Sequence, residues 1–298
     1  MPADDGTVSW RELLAETTDR LERGGIAAGA SEARWIVEEA SGLEGTDLVL
    51  GLDEPATVRM VAHLDAMVDR RLAGEPIQYV LGHWAFRHLD LLVDRRVLIP
   101  RPETEQVVEV ALIAHDRVRA VRGGRHRAAV VDLGTGTGAI ALAVATERSG
   151  SRVWAVERSA EALAVARANL AGLGMAGSGV QLIEGSWFEP LPAELRGTVD
   201  LVVSNPPYIA AHESLDPSVA EWEPIDALVP GPSGLEAYEH IVAEAPSWLG
   251  PAGALVLEIG ASQGTAVAEL FAEHGFVDVA VAPDLAGHDR AVSGHRPA

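Results

Sequence analysis

Six short apolar runs rich in β-branched residues recur through the last 170 or so positions of the chain: Ala129–Leu133, Arg152–Val156, Val180–Glu184, Val199–Val203, Ala254–Ile259 and Val277–Val281. Runs of this length and composition read as strands buried on both faces, as in parallel sheets. Helical stretches such as Ala139–Thr146 and Ala160–Leu170 lie between most of them. That alternation predicts an α/β fold on a doubly wound, mainly parallel sheet. Such sheets collect ligands outside the carboxyl ends of their strands, so those ends are the first places to look for function.

At the end of the first strand stands Asp132-Leu133-Gly134-Thr135-Gly136-Thr137-Gly138, followed by an alanine-rich helix. Glycines in such a turn let the backbone approach a ligand and adopt angles other residues avoid. Glu157 ends the next strand about 20 residues on, where a carboxylate accepts hydrogen bonds from a ribose diol. Gly134, Gly136 and Ala139 also satisfy the dinucleotide pattern, so a nicotinamide-dependent oxidoreductase is one reading of this half. Two features point away from it. Asp132 is placed to attract a cationic amino acid moiety, and the second half offers no evident acid or base for hydride transfer. Trp187, after the third strand, is placed to pack on adenine; the plainer alternative for it is a core position.

At the end of the fourth strand stands Ser204-Asn205-Pro206-Pro207-Tyr208. Two consecutive prolines have no N–H to donate and so allow neither helix nor sheet ladder. They also push Asn205 out of the α region. The result is a stiff turn that holds an amide side chain and backbone carbonyls in fixed directions beside an aromatic ring. A turn of this kind can grip a planar nitrogen bearing two hydrogens; the plainer reading is an ordinary Pro-Pro loop.

The first 74 residues read as a small helical bundle. Ser9 caps a helix carrying Leu13, Leu14 and Leu21, Ser31 opens a second through Ile36 and Val37 to Gly42, and Thr57 opens a third through Leu64, Met67 and Val68. Trp10 and Trp35 read as core. Residues 75–100 read as a hairpin linker, and Pro102 suits the first turn of a helix running through Val107, Val108 and Leu112. The expected domains are therefore 1–74 (helical, substrate-recognising), 75–100 (hairpin) and 101–298 (catalytic).

Composition narrows the partners. All 23 basic residues are arginine, and the formal charge is −21. Such a surface repels phosphate backbones unless positive charge is concentrated. The one dense basic stretch, Arg117, Arg119, Arg122, Arg125 and Arg127, reads as a solvated loop, so no direct nucleic-acid substrate is expected. Cysteine is absent, which excludes disulfides, thiolate metal sites and cysteine nucleophiles. The acidic start Met1–Asp5 lacks a following apolar stretch and no run reaches membrane-span length, so a cytoplasmic protein without membrane attachment is expected. Arg101 and Glu103 read as structural or as bordering a substrate entrance. His83, His88, His212 and His240 read as surface or satisfied core residues, and no metal site is expected.

Taken together, these motifs resemble the S-adenosylmethionine-dependent methyltransferases, and most closely the peptide chain release factor glutamine-N5 methyltransferase (PrmC/HemK) family. The resemblance spans nearly the whole chain. It includes Pro76–Gly82, Leu98-Ile99-Pro100-Arg101-Pro102-Glu103-Thr104-Glu105, Asp132–Gly138 and Ser204–Tyr208. Glu223-Pro224, Ser233-Gly234-Leu235, Leu257–Gly260 with Gln263, and Asp284–Arg290 extend it. It implies a class I methyltransferase-like Rossmann sheet preceded by a small helical domain. It implies methyl transfer to the side-chain amide of the glutamine in the Gly-Gly-Gln motif of class I release factors. The implied cofactor contacts are Gly134, Thr135, Gly136, Thr137, Gly138, Glu157, Trp187 and Asn205. Asn205, Pro206, Pro207 and Tyr208 would hold the substrate, with Asn205, Pro206 and Tyr208 acting on the reacting nitrogen. The chain departs from the family at Glu157, where many members have Asp, and at Ser186, where Asp is usual. The remaining alternatives are an exocyclic-amine methyltransferase acting on DNA or RNA and a nicotinamide-dinucleotide-binding oxidoreductase.

Overall fold

The computed structural model describes residues 7–123 and 126–298. Met1–Asp5 and Arg125 of the basic stretch lie outside the described residues. The chain divides into two compact units, one ending at His83 and one beginning at Trp84.

The first unit holds α1 (Trp10–Arg23), α2 (Gly29–Ser41), α3 (Gly45–Gly51), α4 (Val58–Leu72) and α5 (Ile77–Leu81). Ser9 and Glu12 form a reciprocal capping box at the start of α1. Thr57 caps α4 by accepting from the Met60 amide. Leu21, Ile36, Val37, Leu64, Met67 and Val68 meet in a core of the unit's own. Two expectations are corrected. Ser31 does not cap α2, which starts two residues earlier behind Ala28 and has no side-chain cap; inside its first turn Glu32 is buried against Arg71 at 2.5 Å. Trp10 is buried, but Trp35 is on the outer side of α2 and 38% exposed.

Strands β1 (His83–Phe86) and β2 (Leu89–Leu92) form the hairpin, which is shorter than the 75–100 segment because α5 takes up Ile77–Leu81. Its turn residue Arg87 is held by Glu147 at 2.5 Å and Glu109 at 3.1 Å. Helix α6 (Pro102–Val121) follows, with Pro102 in the first turn as expected.

The second unit continues as β3 (Ala129–Leu133), α7 (Ala139–Glu147), β4 (Arg152–Glu157), α8 (Ala160–Gly172), β5 (Val180–Glu184), β6 (Val199–Ser204), α9 (Pro217–Trp222), α10 (Glu236–Trp248), β7 (Leu249–Glu258), α11 (Gly264–Glu273), β8 (Val277–Pro283) and β9 (Asp289–His295). These strands make a seven-stranded sheet in the order β5-β4-β3-β6-β7-β9-β8. The first five in that order run parallel, and β9 is antiparallel to both of its neighbours. Strands β4, β6 and β8 run one or two residues past their expected ends, and two differences are larger. Strand β7 begins at Leu249, reaching back through Gly250-Pro251-Ala252-Gly253, and β9 was not foreseen at all. One face of the sheet packs on α6 and α7 through Val107, Leu112, Ile140 and Leu142. The other packs on α10 and α11 through Tyr238, Ile241, Val267 and Phe271.

Strand order reverses direction at β3, whose neighbours are β4 on one side and β6 on the other. Leu133 pairs with Val156 and with Ser204, Glu157 with Glu184, and Ser204 with Leu257. The register therefore lines up the carboxyl ends of five strands. Gly134, Glu157, Gly185, Asn205 and Glu258 all fall along one edge. No helix of the described residues is long and apolar enough to cross a membrane.

Candidate active site

A cavity of about 1000 Å³ opens along this edge. Gly134, Thr135, Gly136, Thr137, Glu157, Ser186, Trp187, Asn205 and Pro207 line it. Gly138, Pro206 and Tyr208 do not.

The glycine turn takes its shape from three left-handed residues, Gly134, Gly136 and Gly138, with φ of 71°, 55° and 87°. No heavy atom lies within 4 Å of where a Cβ on Gly136 would stand, so the turn leaves a bare backbone face beside the cavity. Asp132 stands behind that face rather than in it. The carboxylate is fully buried, accepts from the Thr135 hydroxyl at 2.5 Å and from the Ala141 amide at 3.1 Å, and lines no cavity. From behind the turn Asp132 fixes its shape rather than forming a cavity wall. Burial pushes its carboxyl up to about 7, with the nearby Glu157 charge adding to the shift. Its Oδ1 is buried without a partner.

Glu157 is drawn into the site by the turn itself. One carboxylate oxygen accepts from the Gly136 amide at 2.9 Å and the other from the Ser159 amide at 2.9 Å. Both oxygens keep lone pairs for a diol. Trp187, with φ of 47°, packs near His240 at 6.1 Å between ring centroids and forms a side wall. His240 thereby lines the cavity, which its isolation in sequence did not suggest. S-adenosylmethionine, the group this fold implies, fits these residues: a bare glycine turn, a fixed carboxylate, an indole wall and an unsatisfied acid behind the turn.

The Pro-Pro turn is locked from several sides. Ser204 Oγ donates to the Leu133 carbonyl at 2.6 Å, fastening the turn to the end of β3. The Tyr208 amide donates to the Leu228 carbonyl at 3.1 Å, and the Tyr208 carbonyl accepts from Gln263 Nε2 at 3.0 Å. Asn205 Nδ2 donates to the Thr104 hydroxyl at 3.3 Å. Burial pushes the Tyr208 phenol up to about 12, with Glu258 adding, so it stays protonated at neutral pH. A second cavity of about 300 Å³ lies on the other side, lined by Leu98, Arg101, Asn205, Tyr208, Leu215 and Leu228 among others. Asn205 belongs to the walls of both cavities. Pro206 is buried within the turn.

Arg101 also borders both cavities, and its guanidinium is held by Glu223 at 2.5 Å. The other Glu223 oxygen accepts from the Ile99 amide at 3.1 Å, so one buried carboxylate fixes the whole approach to α6. Thr104, Gln263 and Glu223 are contributors whose roles the sequence did not single out. For Thr104 a signal existed: it precedes Val107 and Val108 by three and four positions, which places a polar residue on the buried side of a helix. Most of the basic stretch goes into structure. Arg117 pairs with Asp278 at 2.5 Å, Arg122 with Asp200 at 2.8 Å, and Arg127 donates to the Gly150 carbonyl. Among the described residues no group of three or more His, Cys, Asp or Glu is placed to hold a metal ion.

Residues 12–82 match the sequence profile of the PrmC N-terminal domain, and residues 118–222 that of the methyltransferase small domain. The chain is 41% identical over 289 residues to the release factor glutamine methyltransferase of Cereibacter sphaeroides, covering 96% of this chain and 98% of that one. It is 40% identical over 286 residues to the protein of the same name from Geobacter sulfurreducens, covering 95% of each. Among solved structures, the hMettl16 catalytic domain in complex with the MAT2A 3'UTR hairpin 6 matches with a TM-score of 0.50 at 14% identity. That match covers 80% of this chain and 81% of the other, and is a likeness of fold alone.

Proposed function

The chain belongs to the release factor glutamine methyltransferase family, and from that membership we propose that it methylates the side-chain amide nitrogen of the glutamine in the Gly-Gly-Gln motif of class I release factors. S-adenosylmethionine would be the donor, held by Gly134, Thr135, Gly136, Thr137, Glu157 and Trp187. Bound there, it supplies an electrophilic sulfonium methyl group. The first unit, which takes no part in lining the large cavity, would recognise the release factor.

The observation that carries this reading is the place of Asn205 on the wall common to both cavities. A carboxamide entering the smaller cavity meets Asn205 Oδ1 and Tyr208 with its nitrogen directed at the larger one. The chemical difficulty is that an amide lone pair is delocalised into its carbonyl. Two hydrogen-bond acceptors, Asn205 Oδ1 and the Pro206 carbonyl, would hold the two N–H hydrogens out of the plane that favours delocalisation. The rigid turn keeps those acceptors in place before the reaction starts, and in-line positioning alone can supply on the order of 7–11 kcal/mol of such a barrier. Acceptors also gain strength as positive charge grows on the nitrogen; as the nitrogen takes the methyl and the sulfonium is left as a neutral thioether, one of the two N–H protons would pass to solvent. Tyr208, protonated and packed beside the turn, would cover the amide plane and exclude water.

Incubation with a labelled methyl donor and a purified release factor, followed by peptide mapping, tests the proposal. The label is expected on the glutamine, and Asn205→Ala is expected to lower turnover by ~10²–10³, by analogy with donors of an oxyanion site. Label on DNA or RNA instead, or wild-type turnover by the Asn205 variant, would overturn it.

A further inference from the structure

We propose that Gln263, just before α11, is a positioning residue for methyl transfer: it holds the downstream end of the Asn205–Tyr208 turn, so that Asn205, Pro206 and Tyr208 meet the substrate amide in one fixed arrangement. The proposal rests on the methyl-transfer reading above. Three loops meet at the Gln263 carboxamide. Its Nε2 donates to the Tyr208 carbonyl at 3.0 Å and to the Gly234 carbonyl at 3.4 Å. Its Oε1 accepts from the Gly260 amide at 2.9 Å and from the Tyr238 hydroxyl at 3.2 Å. A backbone N–H only donates and a carbonyl only accepts, so Gly260 and Tyr208 between them fix which way round the carboxamide stands.

The residue type is set by what it must join. A carboxamide carries two donor hydrogens and an acceptor oxygen on one plane. A carboxylate only accepts, an ammonium only donates and an apolar chain does neither. None of these can tie a backbone N–H to two carbonyls.

The two ends of the turn are anchored unequally. Upstream, Ser204 ends β6 and donates to the Leu133 carbonyl at the end of β3, so that end is part of the sheet. Downstream, the Tyr208 and Ile209 amides donate to the Leu228 carbonyl at 3.1 and 2.9 Å, and Leu228 lies outside any helix or strand. Gln263 ties this looser end to the core, because α11 behind it is packed through Val267 and Phe271, both fully buried. The junction leaves little slack. A Cβ on Gly234 would stand 2.6 Å from the Tyr208 carbonyl oxygen, and one on Gly260 would stand 3.4 Å from Tyr208 Cδ2. Carbonyl and ring of Tyr208 are thus both held here, while Gln263 lines neither cavity. It acts on the substrate only through the turn.

The test compares the parent enzyme with Gln263→Glu and Gln263→Met, both close to glutamine in size. It measures kcat and the KM for release factor at saturating cofactor from pH 6 to 9, with calorimetry of S-adenosylmethionine binding and thermal melts. At the alkaline end both variants are expected to lower kcat roughly 10- to 100-fold, toward the loss that a misplacement of about 1 Å brings. KM and cofactor affinity should stay within a few-fold of the parent. Ionised, the glutamate turns an acceptor toward the Tyr208 and Gly234 carbonyls; protonated, it regains one donor. A carboxyl facing carbonyl oxygens holds its proton to higher pH. The kcat of Gln263→Glu relative to the parent should therefore rise several-fold between pH 9 and pH 6, while that of Gln263→Met stays flat.

The titratable and charged groups around the junction are Tyr208, Tyr238, Glu236 beside Gly234, Glu258 before Gly260, Asp289 against Gly264, and Arg290, which donates to the Ile259 carbonyl. All are present in the three proteins, so their own titration cancels in the ratio to the parent. Protonated Gln263→Glu keeps all but one of the hydrogen bonds and carries the test should the methionine variant fail to fold. Parental kcat in either variant, a loss confined to KM or to cofactor affinity, or a flat ratio for Gln263→Glu would overturn the positioning role while leaving methyl transfer standing. A parent enzyme that transfers no methyl would overturn the function and the positioning role with it.

Discussion

Glu258 follows four buried apolar residues, Ala254, Leu255, Val256 and Leu257, on a central strand. Its position has a thermodynamic consequence. The carboxyl lies near its ordinary value of 4.5 in the unfolded chain and is pushed up to about 7 on folding. A raised carboxyl holds its proton in the native state over a range where the unfolded chain has lost it. Its burden on stability is therefore absent below about pH 4 and grows as pH rises through the native value. Glu258→Gln is expected to be more stable than the parent at pH 8, by on the order of 3 kcal/mol, with the gap closing toward pH 4.5. Urea denaturation at the two pH values measures it, and a gap independent of pH would show that the residue is not held as an ionisable group. Glu157 contrasts with it, because its carboxylate lines the cavity and is held by two backbone amides. Glu157→Ala is expected to weaken S-adenosylmethionine binding about 10- to 100-fold, the range of hydrogen bonds to a charged group. Turnover at saturating cofactor should fall much less. Calorimetry giving unchanged affinity would remove the ribose role.

The glycine turn between β3 and α7 joins these residues into an element, and Gly138 is its tightest point. At φ of 87°, a Cβ there would stand 3.1 Å from Leu142 Cδ1 and 3.3 Å from Leu142 Cγ. Gly138→Ala is expected to cost about 1–2 kcal/mol from the left-handed backbone alone, read as a lower urea midpoint, and to weaken cofactor binding because the turn must shift. An unchanged midpoint would mean that the turn holds another shape in solution. This element was legible from sequence because its chemistry is local: strand, glycines and helix are contiguous, and Glu157 follows one βα unit later. The turn at Asn205 was legible for the same reason, since two prolines dictate backbone shape without outside help. Strand β9 was not, because it contains Asp289, Arg290, Ser293 and Gly294, and its burial comes from β7 and β8 rather than from its own pattern. Helices α3 and α5, of seven and five residues, are too short for a helical period to show. Thr104 and Glu258 lie on elements far apart in the chain, and only the sheet register brings Glu258 level with Asn205. A single sequence carries the acid at the end of an apolar run but nothing that says which residues lie level with it.

At the scale of the molecule, the two cavities are confined to one of the two compact units. Every residue lining the large cavity falls between Arg95 and His240, and every one lining the small cavity between Leu98 and Leu228. The first unit contributes to neither, yet it has a core of its own, with Leu21, Ile36, Val37 and Val68 fully buried. In the proposed reading, that unit meets a partner outside the chain. The net charge of −21 makes a phosphate backbone a poor candidate for that partner, and the family makes a release factor the natural one. A fragment comprising residues 84–298 is therefore expected to bind S-adenosylmethionine within a few-fold of the full chain, because every cavity wall remains. Its kcat/KM toward an intact release factor should fall steeply. The loss should be much smaller toward a short peptide containing the glutamine, which cannot use a remote docking surface in either protein. Calorimetry measures the first quantity and methyl incorporation the other two. Equal losses on peptide and intact factor would mean that the first unit supports the catalytic unit rather than reading the substrate. Full activity of the fragment toward the intact factor would leave the first unit without a part in the reaction.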